Sequence, residues 1–132
     1  MTSFHLQITT PDGLIYDGEA ESVAVRTIDG DVCILARHTN YVSALGYGEA
    51  RVTVNGTTRR AACIGGLISA LNNEVRLVPT TFEWEEDIDE ARAQRAKEAA
   101  EQMLKQSAND KRAAVQAEAK LKRALVRLSA KQ

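Results

Sequence analysis

Apolar and polar positions alternate from the start of the chain. Phe4, Leu6 and Ile8 are interleaved with His5, Gln7 and Thr9, the period of a half-buried strand. Pro11-Asp12-Gly13 predicts a turn, because proline presets φ and glycine supplies a positive φ. Leu14-Ile15-Tyr16 is a second short strand, ended by Asp17-Gly18. Val23 and Val25 alternate in a third. Asp29-Gly30 turns the chain into the apolar run Val32 to Leu35. Tyr41 to Leu45 is a further candidate, bounded by Gly46 and Gly48. Asn55-Gly56, between Arg51–Val54 and Thr57–Cys63, has the signature of a two-residue hairpin. Gly65-Gly66 allows a sharp bend. Leu67–Leu71 and Val75–Val78 then flank Asn72-Asn73 in a second hairpin, which Pro79 ends. Short strands with turns every 8–12 residues point to an antiparallel sandwich or barrel.

The period changes beyond Pro79. All eight glycines and both prolines lie at or before it, and all six lysines lie after it. Glu85-Glu86-Asp87 places negative charge where a helix dipole favours it. One helix is predicted from about Asp87 to about Gln106, with a small-residue face of Ile88, Ala91 or Arg92, Ala96, Ala99, Ala100, Met103 and Leu104. Ser107 to Asp110 is a break rich in capping residues. A second helix follows, with a stripe of Ala114, Ala117, Leu121, Ala124, Leu125 and Leu128. Two helices joined by a short break form an αα-hairpin. Alanines bury little area, at about 25 cal/mol per Å², so this hairpin is expected to be weakly held. The fold class is therefore α+β: an N-terminal antiparallel β-sandwich over 1–84 and a C-terminal two-helix antiparallel hairpin over 85–132.

Charge divides at the same place. Residues 1–86 carry six Arg and no Lys against eleven acidic residues, net −5; residues 87–132 are net +4. Such a tail meets something acidic, whether its own head, a partner or a membrane. No apolar run is long enough to span a bilayer, and the start lacks the pattern of a signal peptide. Cys33 and Cys63 sit in strand-like surroundings and are expected as buried free thiols, with a disulfide as the other reading. No Cys/His spacing suits a metal, and nothing points to nucleic acid.

A catalytic constellation is missing from the head. His5 and His38 are far apart, and neither cysteine has a base nearby in sequence, so an enzyme lacks its nucleophile–base pair. His38 reads first as a structural loop residue. In the tail, Lys120, Lys122, Arg123 and Arg127 make the second helix basic, which in an arbitrary helix is simply a solvated surface.

The ordered features resemble the epsilon subunit of bacterial F-type ATP synthases along essentially the whole chain. The marks are Thr10-Pro11-Asp12-Gly13 with Tyr16-Asp17-Gly18, Gly30 to His38, Ile64-Gly65-Gly66, Asp87 to Ala93 and Lys120 to Leu128. The family's usual Gly-Ile-Leu-Pro-x-His is Cys33-Ile34-Leu35-Ala36-Arg37-His38 here, with Asp31 for the preceding acid. The resemblance implies a non-catalytic central-stalk subunit of a proton-translocating enzyme, peripheral to the cytoplasmic face of the bacterial cell membrane. It implies a sandwich bound to the gamma subunit and the c-ring, with Gly30, Asp31 and His38 at that contact. It implies a hairpin that folds on the sandwich or extends along gamma, and that inhibits ATP hydrolysis by presenting Lys120, Lys122, Arg123 and Arg127 to acidic segments of the beta subunits. A continuous helix from Asp87 to Lys131 would span roughly 65 Å.

The resemblance further implies regulatory ATP binding, with no cofactor required and Mg2+ able to accompany the nucleotide. Ile88, Asp89, Arg92 and Ala93 match the family motif, with Glu83 beside the base and Arg123 and Arg127 at the phosphates. Ordinary helix chemistry offers another account: Asp87 or Asp89 caps the helix, and Asp89 pairs with Arg92. A reading from a different class is a free-standing β-sandwich module whose basic hairpin docks on an anionic membrane, although the second helix lacks the Trp and Phe such helices carry.

Overall fold

A computed structural model describes residues 2–132 of the chain. Eight strands precede two helices: β1 (Phe4–Thr10), β2 (Gly13–Ala20), β3 (Ser22–Thr27), β4 (Gly30–Leu35), β5 (Tyr41–Ala44), β6 (Tyr47–Val54), β7 (Thr57–Leu71), β8 (Glu74–Trp84), α1 (Glu90–Gln106) and α2 (Lys111–Lys131), with one 3-10 turn at Glu85–Asp87. The strands hydrogen-bond in the order β2-β1-β8-β7-β6-β3-β4, and β5 pairs with β7. The path folds over itself into a sandwich around Phe4, Leu6, Ile8, Val23, Ile34, Val52, Ile68 and Leu77, all buried. Most pairs are antiparallel as expected, but β1 and β8 run parallel, His5 opposite Glu74 and Ile8 opposite Leu77. The sheet is therefore mixed.

Two of the expected strand ends are absent. β2 runs straight through Asp17-Gly18, because β1 supplies Leu6 and Gln7 as their partners. Pro79 does not end a strand either: it lies inside β8, opposite Gly66 of β7. Its missing N–H leaves no orphan, since the Gly66 carbonyl accepts from Leu45 N–H at 2.8 Å. Gly65 and Gly66 both have positive φ, 67° and 98°, which glycine adopts without a steric penalty. The bend there turns the strand over. Before it Ala61 and Cys63 face the sandwich core, and after it Ile68 and Ala70 do. β8 makes the same change, from Val75 and Leu77 to Phe82 and Trp84. Their neighbours Ala62 and Ile64 are thereby turned outward, where the helices cover them.

The hairpin forms as expected, with shifted details. Asp89, not Asp87, caps α1: its side chain accepts from Arg92 N–H at 3.0 Å. Asp110 caps α2, accepting from Arg112 and Ala113 N–H at 3.1 Å each. In α1 the buried residues are Ala93 and Ala100, while Ala91, Arg92, Ala96 and Ala99 are exposed. In α2 they are Ala117, Ala124, Val126 and Ala130; Leu125, expected in the stripe, is exposed. α2 has two partners, α1 and the sandwich, so its buried surface is wider than one stripe. Both cysteines are free thiols, but only Cys63 is buried and Cys33 is exposed.

Candidate functional site

The tail meets the sandwich mainly through the end of α2. Val126 and Ala130 pack on Ala62 and Ile64 of β7 together with Ile88 of the connector, a small apolar joint. Polar contacts surround it. Arg127 Nε donates to Glu83 Oε1 at 2.5 Å. Lys131 Nζ donates to the Glu85 carbonyl at 3.0 Å. Arg60 donates to the main-chain oxygens of Gln132 and Ser129, at 2.5 and 3.0 Å, and to Glu49. Ser129 Oγ donates to the other Glu49 oxygen at 2.8 Å. On the opposite face of β7, the Arg59 guanidinium lies 3.8 Å from the Trp84 ring centroid and pairs with Glu86.

A cleft of about 440 Å³ opens between the first turns of α1 and the β1–β2 and β8 edge of the sandwich. Glu83, Asp89, Arg92, Ala93 and Arg127 line it, five of the seven residues expected around a nucleotide. Ile88 is buried in the apolar joint instead, and Arg123 is absent from the wall. Arg123 is half-buried one turn before Arg127 on the same helical face. Sequence reasoning missed Thr10, Asp12, Ile15, Thr80, Thr81, Phe82, Asp87 and Ala96, which also line the cleft. Of these, Asp87 lies inside the quoted motif, and Asp12 belongs to the first turn motif far upstream.

The charges of this cleft are uneven. Asp12, Glu83, Asp87 and Asp89 supply four carboxylates, against Arg92 and Arg127. Arg127 is occupied by Glu83, whereas Arg92 is exposed and makes no ion pair among the described residues. The Asp89 contact with Arg92 goes to the main-chain N–H, so the guanidinium remains available. An anionic group fits against the two arginines, and an amino-bearing ring fits against the carboxylates. The residues thus suit a nucleotide in kind, and the folded hairpin sets Arg92 and Arg127 on one cleft.

The other expected residues separate. Gly30 and Asp31 begin β4, where Gly30 has φ 118° and Asp31 pairs with Arg26 at 3.0 Å. His38 lies beyond the opposite end of β4, its Nδ1 2.7 Å from the Thr39 carbonyl. The three do not form one patch. Lys120, Arg123 and Arg127 share one face of α2 at i, i+3 and i+7, while Lys122 points elsewhere. A different surface stands out. Val42, Leu67 and Val78 are 63%, 54% and 47% exposed. Leu67 pairs with both Ala44 and Val78, so these side chains share the outer face of β5, β7 and β8. Among the described residues there is no His/Cys/Asp/Glu group that would hold a metal ion, and no helix long and apolar enough to cross a membrane.

Comparison with known proteins divides the chain where its structure changes. Residues 3–85 match the family model "ATP synthase, Delta/Epsilon chain, beta-sandwich domain", and residues 86–132 match "ATP synthase, Delta/Epsilon chain, long alpha-helix domain". The chain belongs to the ATP synthase delta/epsilon family. Within it, the ATP synthase epsilon chain of Shouchella clausii is 37% identical over 128 residues, covering 97% of this chain and 94% of that one. The epsilon chain of Caldicellulosiruptor bescii is 38% identical over 106 residues, 80% of this chain and 77% of its own. A chain of the Euglena gracilis mitochondrial ATP synthase, solved as OSCP/F1/c-ring, has the same fold, with a TM-score of 0.86 at 22% identity over 98% of this chain and 81% of its own. This epsilon chain is a non-catalytic subunit of the ATP synthase central stalk.

Proposed function

We propose that the chain is the regulatory element of that stalk, with docking assigned to the sandwich and control to the hairpin. The observation that carries the reading is the joint itself. It is a cluster of only five apolar side chains ringed by polar contacts, beside a cleft whose wall includes Arg127 of α2. Little apolar area holds the hairpin, so its folded and released states differ by a few kcal/mol, within reach of a ligand. ATP bound between Arg92 and Arg127, with its base toward Glu83 and Asp89, favours the folded state. Mg2+ accompanying the phosphates would offset part of the negative charge of the cleft. Once released, the hairpin presents Lys120, Arg123 and Arg127 to acidic segments of the beta subunits and inhibits ATP hydrolysis. The sandwich holds gamma and the c-ring, and the exposed Val42–Leu67–Val78 face supports a protein partner there.

Calorimetric titration of the full chain with ATP, with and without Mg2+, tests the ligand. Saturable heat that disappears in Arg92→Ala and Arg127→Ala is the expected result; no heat at millimolar ATP rejects the nucleotide reading. Assembly of the complex with a chain ending at Trp84 tests the division of labour. That complex is expected to retain the stalk and to hydrolyse ATP without inhibition. Loss of gamma binding by the truncated chain would overturn the assignment.

A further inference from the structure

We propose that the last turn of α2 is a latch with Arg60 as its keeper, and that the hairpin leaves the sandwich from this C-terminal end first. Arg60 sits on the outward face of β7, beside Ala62, and its guanidinium reaches three acceptors. Two are main-chain oxygens, of Ser129 and Gln132, at the helix end that carries the negative pole of the dipole; the Ser129 oxygen also accepts from Gln132 N–H at 3.2 Å. The third is Glu49 of β6, which also accepts from Ser129 Oγ. Glu49 therefore holds both the keeper and the turn that it captures.

This pair is the most enclosed ion pair of the described residues, with side chains 26% and 19% exposed. A planar guanidinium serving a carboxylate and two carbonyls together is geometrically specific, and lysine cannot reproduce it. None of Arg60, Glu49 and Ser129 lines the cleft of the nucleotide proposal, so the latch acts without a ligand. α1 packs along α2, while it is α2 that contacts β6 and β7; Arg92, Ala93 and Ala96 of α1 face the sandwich across the cleft. Freeing the last turn of α2 removes the main attachment, and α1 is then free to follow.

Hydrogen exchange on the full chain, resolved by peptide, tests this. In Arg60→Gln, amides of residues 121–131 are expected to exchange at least about tenfold faster, with the strands as protected as in the unsubstituted chain. Trp84, enclosed in the sandwich core, gives an independent fluorescence check that the strands are intact. The order of opening is read in the same data: α2 is to lose protection before α1. Unchanged protection over 121–131, or α1 opening ahead of α2, overturns the latch. If Arg60→Gln also exposes the strands, Glu49→Gln decides: faster exchange confined to the hairpin supports the latch, and exchange like that of the unsubstituted chain rejects it.

Discussion

Gly66 stands opposite Pro79 at the corner of the sandwich, and a Cβ on Gly66 would lie 2.0 Å from the Val78 carbonyl oxygen and 2.7 Å from the Pro79 Cα. Both obstacles are backbone, so neither can swing aside. Gly66→Ala adds a positive-φ penalty to that overlap. It is expected to destabilise the sandwich by about 3 kcal/mol or more, read as a lower denaturant midpoint. Gly56→Ala is the comparison: it shares the positive φ, but nothing lies within 4 Å of its Cβ, so the loss should be smaller.

The two thiols should differ sharply. Burial pushes the Cys63 pKa up to about 12, leaving almost no thiolate at neutral pH, while Cys33 is exposed on β4. A chromogenic disulfide reagent at pH 8 should titrate one thiol per native chain and two after denaturation. Cys33→Ser should abolish the native reaction. Two fast thiols in the native chain would contradict the packing of β7.

His5 tests the surface electrostatics of β1. Its pKa is raised, chiefly by its hydrogen bond to Asp17, opposed in part by desolvation, with lesser help from the charges of Asp17, Glu74 and Glu19. The fold therefore favours the protonated ring. That contribution is present below the unfolded value of about 6.5 and is lost as pH rises through the folded value. NMR titration should place His5 above the value of a free histidine, and Asp17→Asn should bring it down. A midpoint unmoved by Asp17→Asn would show that the ring is not held there.

Asp89 has two assigned tasks, and two substitutions separate them. Asn also caps helices, so Asp89→Asn should keep α1 intact while weakening nucleotide binding. Asp89→Ala should lose the cap as well, about 1 kcal/mol of helix stability, seen as lower helicity on heating. Equal nucleotide affinity in all three chains would confine Asp89 to capping.

Ala117 is fully buried in α2. Ala117→Leu should separate the helices at a cost of about 1–3 kcal/mol. Circular dichroism should then show the hairpin melting ahead of the strands, which should keep their own transition.

Local turn chemistry was legible in the chain. Asn55-Gly56 and Asn72-Asn73 adopt the positive φ angles that their residue types tolerate, and both make the hairpins expected of them. What pairs at long range was not. Asp17-Gly18 looks like a strand end until Leu6 and Gln7 of β1 lie alongside it. Pro79 looks like a terminator until Gly66 removes the side chain that would block it. Val126 and Ala130 fall outside the helix's main stripe, and only Ala62 and Ile64, turned outward at the bend, give them a reason to be apolar. Within the cleft, the acidic and arginine residues of the tail were legible through the family motif. Thr10 and Asp12 were not, because only the β1–β2 turn brings them to α1.

Asp110 makes the hinge an asymmetric one. As the cap of α2 it accepts two main-chain N–H groups that would otherwise point at the end of the preceding helix. Fusing α1 and α2 into a single rod puts Asp110 in a helix interior, where its carboxylate has no such donors and competes with the backbone. The extended form thus gives up this cap, worth about 1 kcal/mol, against the main-chain hydrogen bonds that a continuous helix regains across the hinge. In the proposed release, then, what receives the rod must tip that balance, while the folded hairpin keeps its cap unaided.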